Sequence, residues 1–211
     1  MKVKAFKRLS VKASRPPTAS AFQPFNPPTI IIANRQRTRK VNLRLLKRIA
    51  AALLDDLNTE GAELGVHLVA APEIIRLNET FLRHQGSTDV ITFDYSNAGG
   101  QCFVTTQNIR AATKRCPPLH GDIFICVDEA VRQARRFRTS WPSEIVRYLV
   151  HGVLHLLGYD DSRAGERRDM KREEGRRLGE LSRRFSLAQL GRAANLSGCK
   201  NRSSRAGAPI S

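Results

Sequence analysis

His151-Gly152-Val153-Leu154-His155-Leu156-Leu157-Gly158-Tyr159-Asp160-Asp161 is the stretch from which the rest of the chain is read. Two of the chain's five histidines stand here, four positions apart. On a helix, residues i and i+4 share one face, one turn apart. Two imidazoles so placed can hold one Zn²⁺ at about 2.0–2.1 Å each. Gly158 follows as a helix stop, because the position after a C-cap often needs positive φ. The chain then turns and delivers Asp161 as a third candidate ligand. Three protein ligands with one open position describe a catalytic zinc site rather than a structural one. A bare HxxxH pair also occurs in buried helices that hold no metal. The glycine stop and the following oxygen ligand shift the reading toward a metal.

Working upstream, Ile145, Val146, Leu149, Val150, Val153, Leu154 and Leu157 recur at helical spacing and give this helix an apolar stripe. Its start falls around residues 140–144, with Pro142 in the first turn, and its end at Leu157. Burial of the stripe would hold the two histidines rigid. Gly152 occupies the place where a HExxH protease carries its general-base glutamate. Peptide hydrolysis by that route is therefore disfavoured. Asp160 is a candidate base or supporting group beside the metal, or else a cap for the turn.

The remaining elements follow from periodicity. A β-branched run at 29–33 reads as a buried strand. Asn42 caps an amphipathic helix carrying Leu43, Leu46, Ile49, Leu53 and Leu57. Residues 66–70 read as a second strand. A helix over 72–82 is expected to bury Ile74, Ile75, Leu77 and Phe81. Residues 88–95 are rich in β-branched and aromatic types and read as a strand. Residues 102–105 suggest a short strand. Residues 120–126 form the next strand, and 127–137 an amphipathic helix with Arg132, Arg135 and Arg136 outward. A charged helix covers about 163–184. The tails 1–28, basic and proline-containing, and 185–211 are read as disordered. The folded domain is placed at 29–184.

The formal net charge is +17, and no acidic residue precedes Asp55. Such an excess points to a polyanionic partner, of which RNA is the natural example. Aromatic residues near the motifs are few, so base stacking has weak sequence support. Four cysteines without CxxC spacing read as reduced thiols of a cytoplasmic protein, not a zinc ribbon or redox motif. No apolar run reaches membrane-spanning length, so no membrane partner is expected. The first 28 residues share the acid-poor, serine-containing composition of a transit peptide. They are read instead as an RNA-binding or unstructured tail.

The sequence from His151 to Asp160 resembles the signature H-G-x-L-H-L-x-G-Y-D-H of the YbeY family, zinc-dependent endoribonucleases of ribosomal RNA maturation. Leu77-Asn78 followed by Thr88-Asp89-Val90-Ile91-Thr92-Phe93 is similar to that family's LN…TDVLSF. Gly121-Asp122-Ile123 before a strand fits as well, and the resemblance spans roughly residues 29–180. It implies an α+β single domain with a central mixed sheet flanked by helices. The zinc site would stand at the C-terminal end of a core helix. One Zn²⁺ on His151, His155 and Asp161 would serve single-strand cleavage in maturation of the 3′ end of small-subunit 16S rRNA.

Two positions depart from the family pattern. Asp161 stands where the family's last histidine is found, and carboxylate is an accepted zinc ligand. Leu82 stands where the family tends to place an arginine, so Arg83 or His84 would have to take over a phosphate-facing role. The alternative to an enzyme is a non-catalytic rRNA-binding assembly factor with a structural metal. A zinc hydrolase of another anionic substrate is a third reading.

Overall fold

The computed structural model describes residues 27–95 and 119–192. Four strands form one mixed sheet: β1 (Thr29–Asn34), β2 (Glu63–Val69), β3 (Val90–Asp94) and β4 (His120–Cys126). Their order is β1-β2-β4-β3. β1 and β4 each run parallel to β2, and β3 pairs antiparallel to β4 as an edge strand. Five α-helices accompany the sheet: α1 (Leu43–Asp56), α2 (Ala71–Leu77), α3 (Val127–Phe137), α4 (Trp141–Leu156) and α5 (Ala164–Arg184). This is the α+β domain with a central mixed sheet that the resemblance implies.

Helix α4 lies at the centre of the domain, packed against β3, β4, α1, α3 and α5. Ser140 caps it, the hydroxyl accepting from the Ser143 N–H, and Pro142 sits in the first turn. Ile145, Val146, Leu149, Val150, Val153 and Leu154 are fully buried. Each such side chain contributes about 1.5–3 kcal/mol of burial free energy. The stripe read from the sequence is therefore core, and it fixes the azimuth of the histidines. Asn42 caps α1 as expected, accepting from the Leu45 N–H at 3.1 Å.

Several expectations need correcting. β2 begins at Glu63 rather than residue 66, because parallel partners on both sides extend its pairing back to Thr29 and His120. β3 begins at Val90 rather than residue 88. The helix expected over 72–82 ends at Leu77 and continues as a wider π turn, Asn78–Leu82. That turn changes the angular phase of the side chains. Phe81 consequently leaves the apolar stripe and is 60% exposed. The boundary at 184 is too early: a 3₁₀ helix, Leu187–Gly191, packs with Leu187 and Leu190 buried. The strand read at 102–105, residues 1–26 and residues 193–211 lie outside the described residues. Among the described residues, no helix is long and apolar enough to cross a membrane.

Candidate metal centre

His151 and His155 project from the last two turns of α4, both half-buried. Their Nε2 atoms face each other at 3.1 Å. His151 Nδ1 lies 3.1 Å from Glu174 Oε2, and His155 Nδ1 lies 3.0 Å from the Tyr159 carbonyl oxygen. An ionised carboxylate and a carbonyl only accept hydrogen bonds, so each Nδ1 carries the proton. In its neutral form each imidazole then presents a bare lone pair at Nε2. Two lone pairs pointed at each other are repulsive unless a cation lies between them. Two nitrogens on one tetrahedral zinc would stand about 3.3 Å apart, close to the observed separation.

The Asp161 carboxylate completes the group. Ligand atoms of His151, His155 and Asp161 all lie within 4.8 Å of one another. The donor set of two imidazoles and one carboxylate suits Zn²⁺. The three residues the sequence singled out as ligands are thus brought together, and they fit the metal.

The turn after α4 explains how Asp161 arrives. Gly158 has φ of 86°, in the left-handed region. Its N–H donates to the His155 carbonyl at 2.8 Å, and the Tyr159 N–H donates to the Leu154 carbonyl at 3.0 Å. This is a Schellman motif, with buried Tyr159 as its apolar plug. It reverses the chain directly beside the histidines. Arg167 Nε then donates to the Asp161 carbonyl at 2.9 Å, tying the ligand loop to α5. Asp160 turns away: its carboxylate accepts from the Ser162 N–H at 3.0 Å and the Ser162 hydroxyl at 2.6 Å. Those two bonds hold the exposed Asp160 carboxyl below its usual pKa. Of the two roles the sequence left open, the structure favours the turn cap.

Glu174, on α5, is the principal supporting residue that the sequence reading missed. Its side chain is 12% exposed, and its second oxygen accepts from Arg147 Nη1 at 3.1 Å. Arg147 in turn pairs with buried Glu144 at 3.3 Å. Burial opposes charge on His151, but the Glu174 carboxylate outweighs it and raises the imidazole's pKa. Burial and the neighbouring His151 charge push His155 down. Burial works against the Glu174 carboxylate too, yet its bonds to His151 and Arg147 hold its pKa below the usual range. A signal was available: Glu174 stands four residues after buried Met170 and four before buried Leu178. A carboxylate on the apolar stripe of an otherwise charged helix needs a partner.

Gly152 has a second reason to lack a side chain. A Cβ there would lie 2.8 Å from Ile123 Cγ2 on β4. The helix backbone is pressed against the sheet at the position where a protease base would stand. Arg83 and His84 are exposed on the loop between the π turn and β3, apart from the triad's own turn. Arg83 has φ of 55°.

Comparison with known proteins places the chain in a family. The family model for Endoribonuclease YbeY matches residues 31–182, a span that holds the whole triad. The chain is 35% identical over 147 residues to the Endoribonuclease YbeY of Syntrophotalea carbinolica, covering 70% of this chain and 89% of that protein. It is 37% identical over 131 residues to that of an Anaeromyxobacter species, covering 62% of this chain and 60% of that protein. The solution structure of TM1509 from Thermotoga maritima covers 81% of this chain and 99% of its own, with TM-score 0.52 and 20% identity. That likeness speaks for the fold alone. With a family match across most of the chain and a relative covered over nearly its whole length, the chain belongs to the endoribonuclease YbeY family.

Proposed function

We propose that this protein is a zinc-dependent endoribonuclease that cleaves single-stranded RNA, acting in the cytoplasm on the 3′ end of small-subunit 16S rRNA during ribosome biogenesis. The observation that carries the reading is the pair of Nε2 atoms, 3.1 Å apart, beside the Asp161 carboxylate. His151, His155 and Asp161 would hold one Zn²⁺, which would supply Lewis-acid polarisation of a phosphodiester oxygen. The protein's own groups prepare the site. Glu174 and the Tyr159 carbonyl keep the Nδ1 protons in place, so that Nε2 is the free donor on both rings. Arg83 and His84 are the candidates for meeting the substrate phosphate, in place of the family arginine that Leu82 replaces. The net charge of +17 favours the polyanion.

Leu82 also supports a second reading, a non-catalytic rRNA-binding assembly factor with a structural metal. The two part company in one assay. Purified protein is incubated with single-stranded RNA, with chelator and after zinc is restored, beside His155→Ala. The enzyme reading expects cleavage that chelation abolishes, zinc restores and His155→Ala lacks. The assembly-factor reading expects RNA binding without metal-dependent cleavage, and RNA affinity unchanged in His151→Ala.

A further inference from the structure

The π turn after α2 opens a loop that is built rather than slack. Asn78 is 6% exposed, and its side-chain amide donates to the Gly86 carbonyl at 2.9 Å. Its own carbonyl accepts from the Arg83 N–H and, at 3.4 Å, the His84 N–H. One buried residue thus ties both ends of the segment 78–86. The turn throws two large apolar side chains outward, Phe81 at 60% and Leu82 at 48% exposure.

Among the described residues, the ring that Phe81 meets is Phe93 on β3. The two ring centroids are 5.1 Å apart, with the planes at 80°. Phe93 meets Phe124 at 5.6 Å and 85°, and Phe124 stacks on His67 at 4.4 Å and 13°. Phe81 is thus the exposed end of a row of rings that runs through Phe93 and Phe124 to His67. Edge contacts of this kind set a ring's orientation. Packing accounts for Phe93 and Phe124, which are partly buried against the cluster of Val69, Ile74, Ile91 and Cys126. It does not account for leaving Phe81 in water.

The surroundings supply the complement. Arg83 is exposed two residues on, at a φ of 55°. β3, which carries Phe93, also packs against α4, which carries the two histidines. An exposed ring with a cationic residue two positions along the chain is suited to gripping a single-stranded nucleic acid: a base on the ring face, a phosphate on the cation.

We infer that Phe81 is a substrate-recognition residue, whose ring stacks an unpaired nucleobase of the RNA strand while Arg83 meets an adjacent phosphate. The inference rests on the RNA reading above and adds to it where on the protein a base is held. It also revises the expectation, drawn from the scarcity of aromatic residues, that stacking plays little part.

The test uses the full zinc-loaded chain and fluorescence anisotropy with two probes. One is a twelve-nucleotide 2′-O-methyl oligoadenylate; the other is an abasic strand of equal length. Wild type should bind the oligoadenylate more tightly than the abasic strand. Phe81→Ala should weaken oligoadenylate binding about tenfold, in the range for losing one stacked base, and leave the abasic strand unchanged. Phe81→Trp should restore binding, and Phe81→Leu, which keeps apolar bulk without a π face, should not. Equal affinity of Phe81→Ala and wild type, or full rescue by leucine, overturns the stacking role while RNA binding stands. No binding of either strand by wild type overturns the RNA reading itself.

Discussion

Replacing Glu174 with alanine should weaken zinc binding without unfolding the domain. The residue's one contact with the ligand set is the 3.1 Å bond to His151 Nδ1. Without it, His151 can move its proton to Nε2 or rotate about its side-chain bonds. Either change withdraws one of three donors. Loss of such an outer hydrogen bond typically costs 10- to 100-fold in metal affinity, or about 1.4–2.7 kcal/mol. The substitution strands no buried charge, because Arg147 keeps its 3.3 Å contact with Glu144. Zinc affinity is read by competition against a chromophoric chelator. A thermal melt in excess chelator confirms that the metal-free fold survives. Glu174→Gln, which retains an acceptor oxygen, should fall between alanine and wild type. If Glu174→Ala binds zinc within twofold of wild type, then His151 is oriented by packing alone and the account of its tautomer is wrong.

Other consequences follow from the same geometry. Gly152→Ala forces a methyl to 2.8 Å from Ile123 Cγ2. Overpacking of about 1–3 kcal/mol, offset by about 1 kcal/mol of helix propensity, leaves a net loss near 1 kcal/mol in denaturant unfolding. Adding Ile123→Val should recover part of it. Leu190→Ala should destabilise the domain by about 2–5 kcal/mol, since that side chain is fully buried; a change within 0.5 kcal/mol would make residues 187–191 a mere tail. Zinc affinity should fall as pH drops. His151's pKa is raised and His155's lowered, so protons displace metal first at His151, beginning above the ordinary histidine value of about 6.5. Glu174→Gln removes the carboxylate that raises that pKa and should shift the onset to lower pH.

The local features of this protein are legible in its sequence, and the long-range ones are not. The cap Asn42, the stripe of α4 and the stop at Gly158 depend on neighbours within a few residues, so spacing reveals them. The triad is legible for the same reason: its members lie within eleven residues, and one helix and one turn bring them together. The π turn at Asn78 is different. What stabilises it is a hydrogen bond from a buried amide to Gly86, eight residues on, and helical periodicity therefore carries Phe81 into the core when it belongs at the surface. The start of β2 is set by pairing with β1 and β4. Glu174 reaches His151 across 23 residues of sequence, from a helix whose acidic residues look like charge balance.

The most direct test of the central claim is zinc stoichiometry by elemental analysis of purified wild type, His155→Ala and Asp161→Ala, each checked for native fold by circular dichroism. Three ligands converging on one ion predict one zinc per chain in wild type, near-complete loss in His155→Ala and partial or complete loss in Asp161→Ala. A folded His155→Ala protein that keeps one zinc per chain would contradict it.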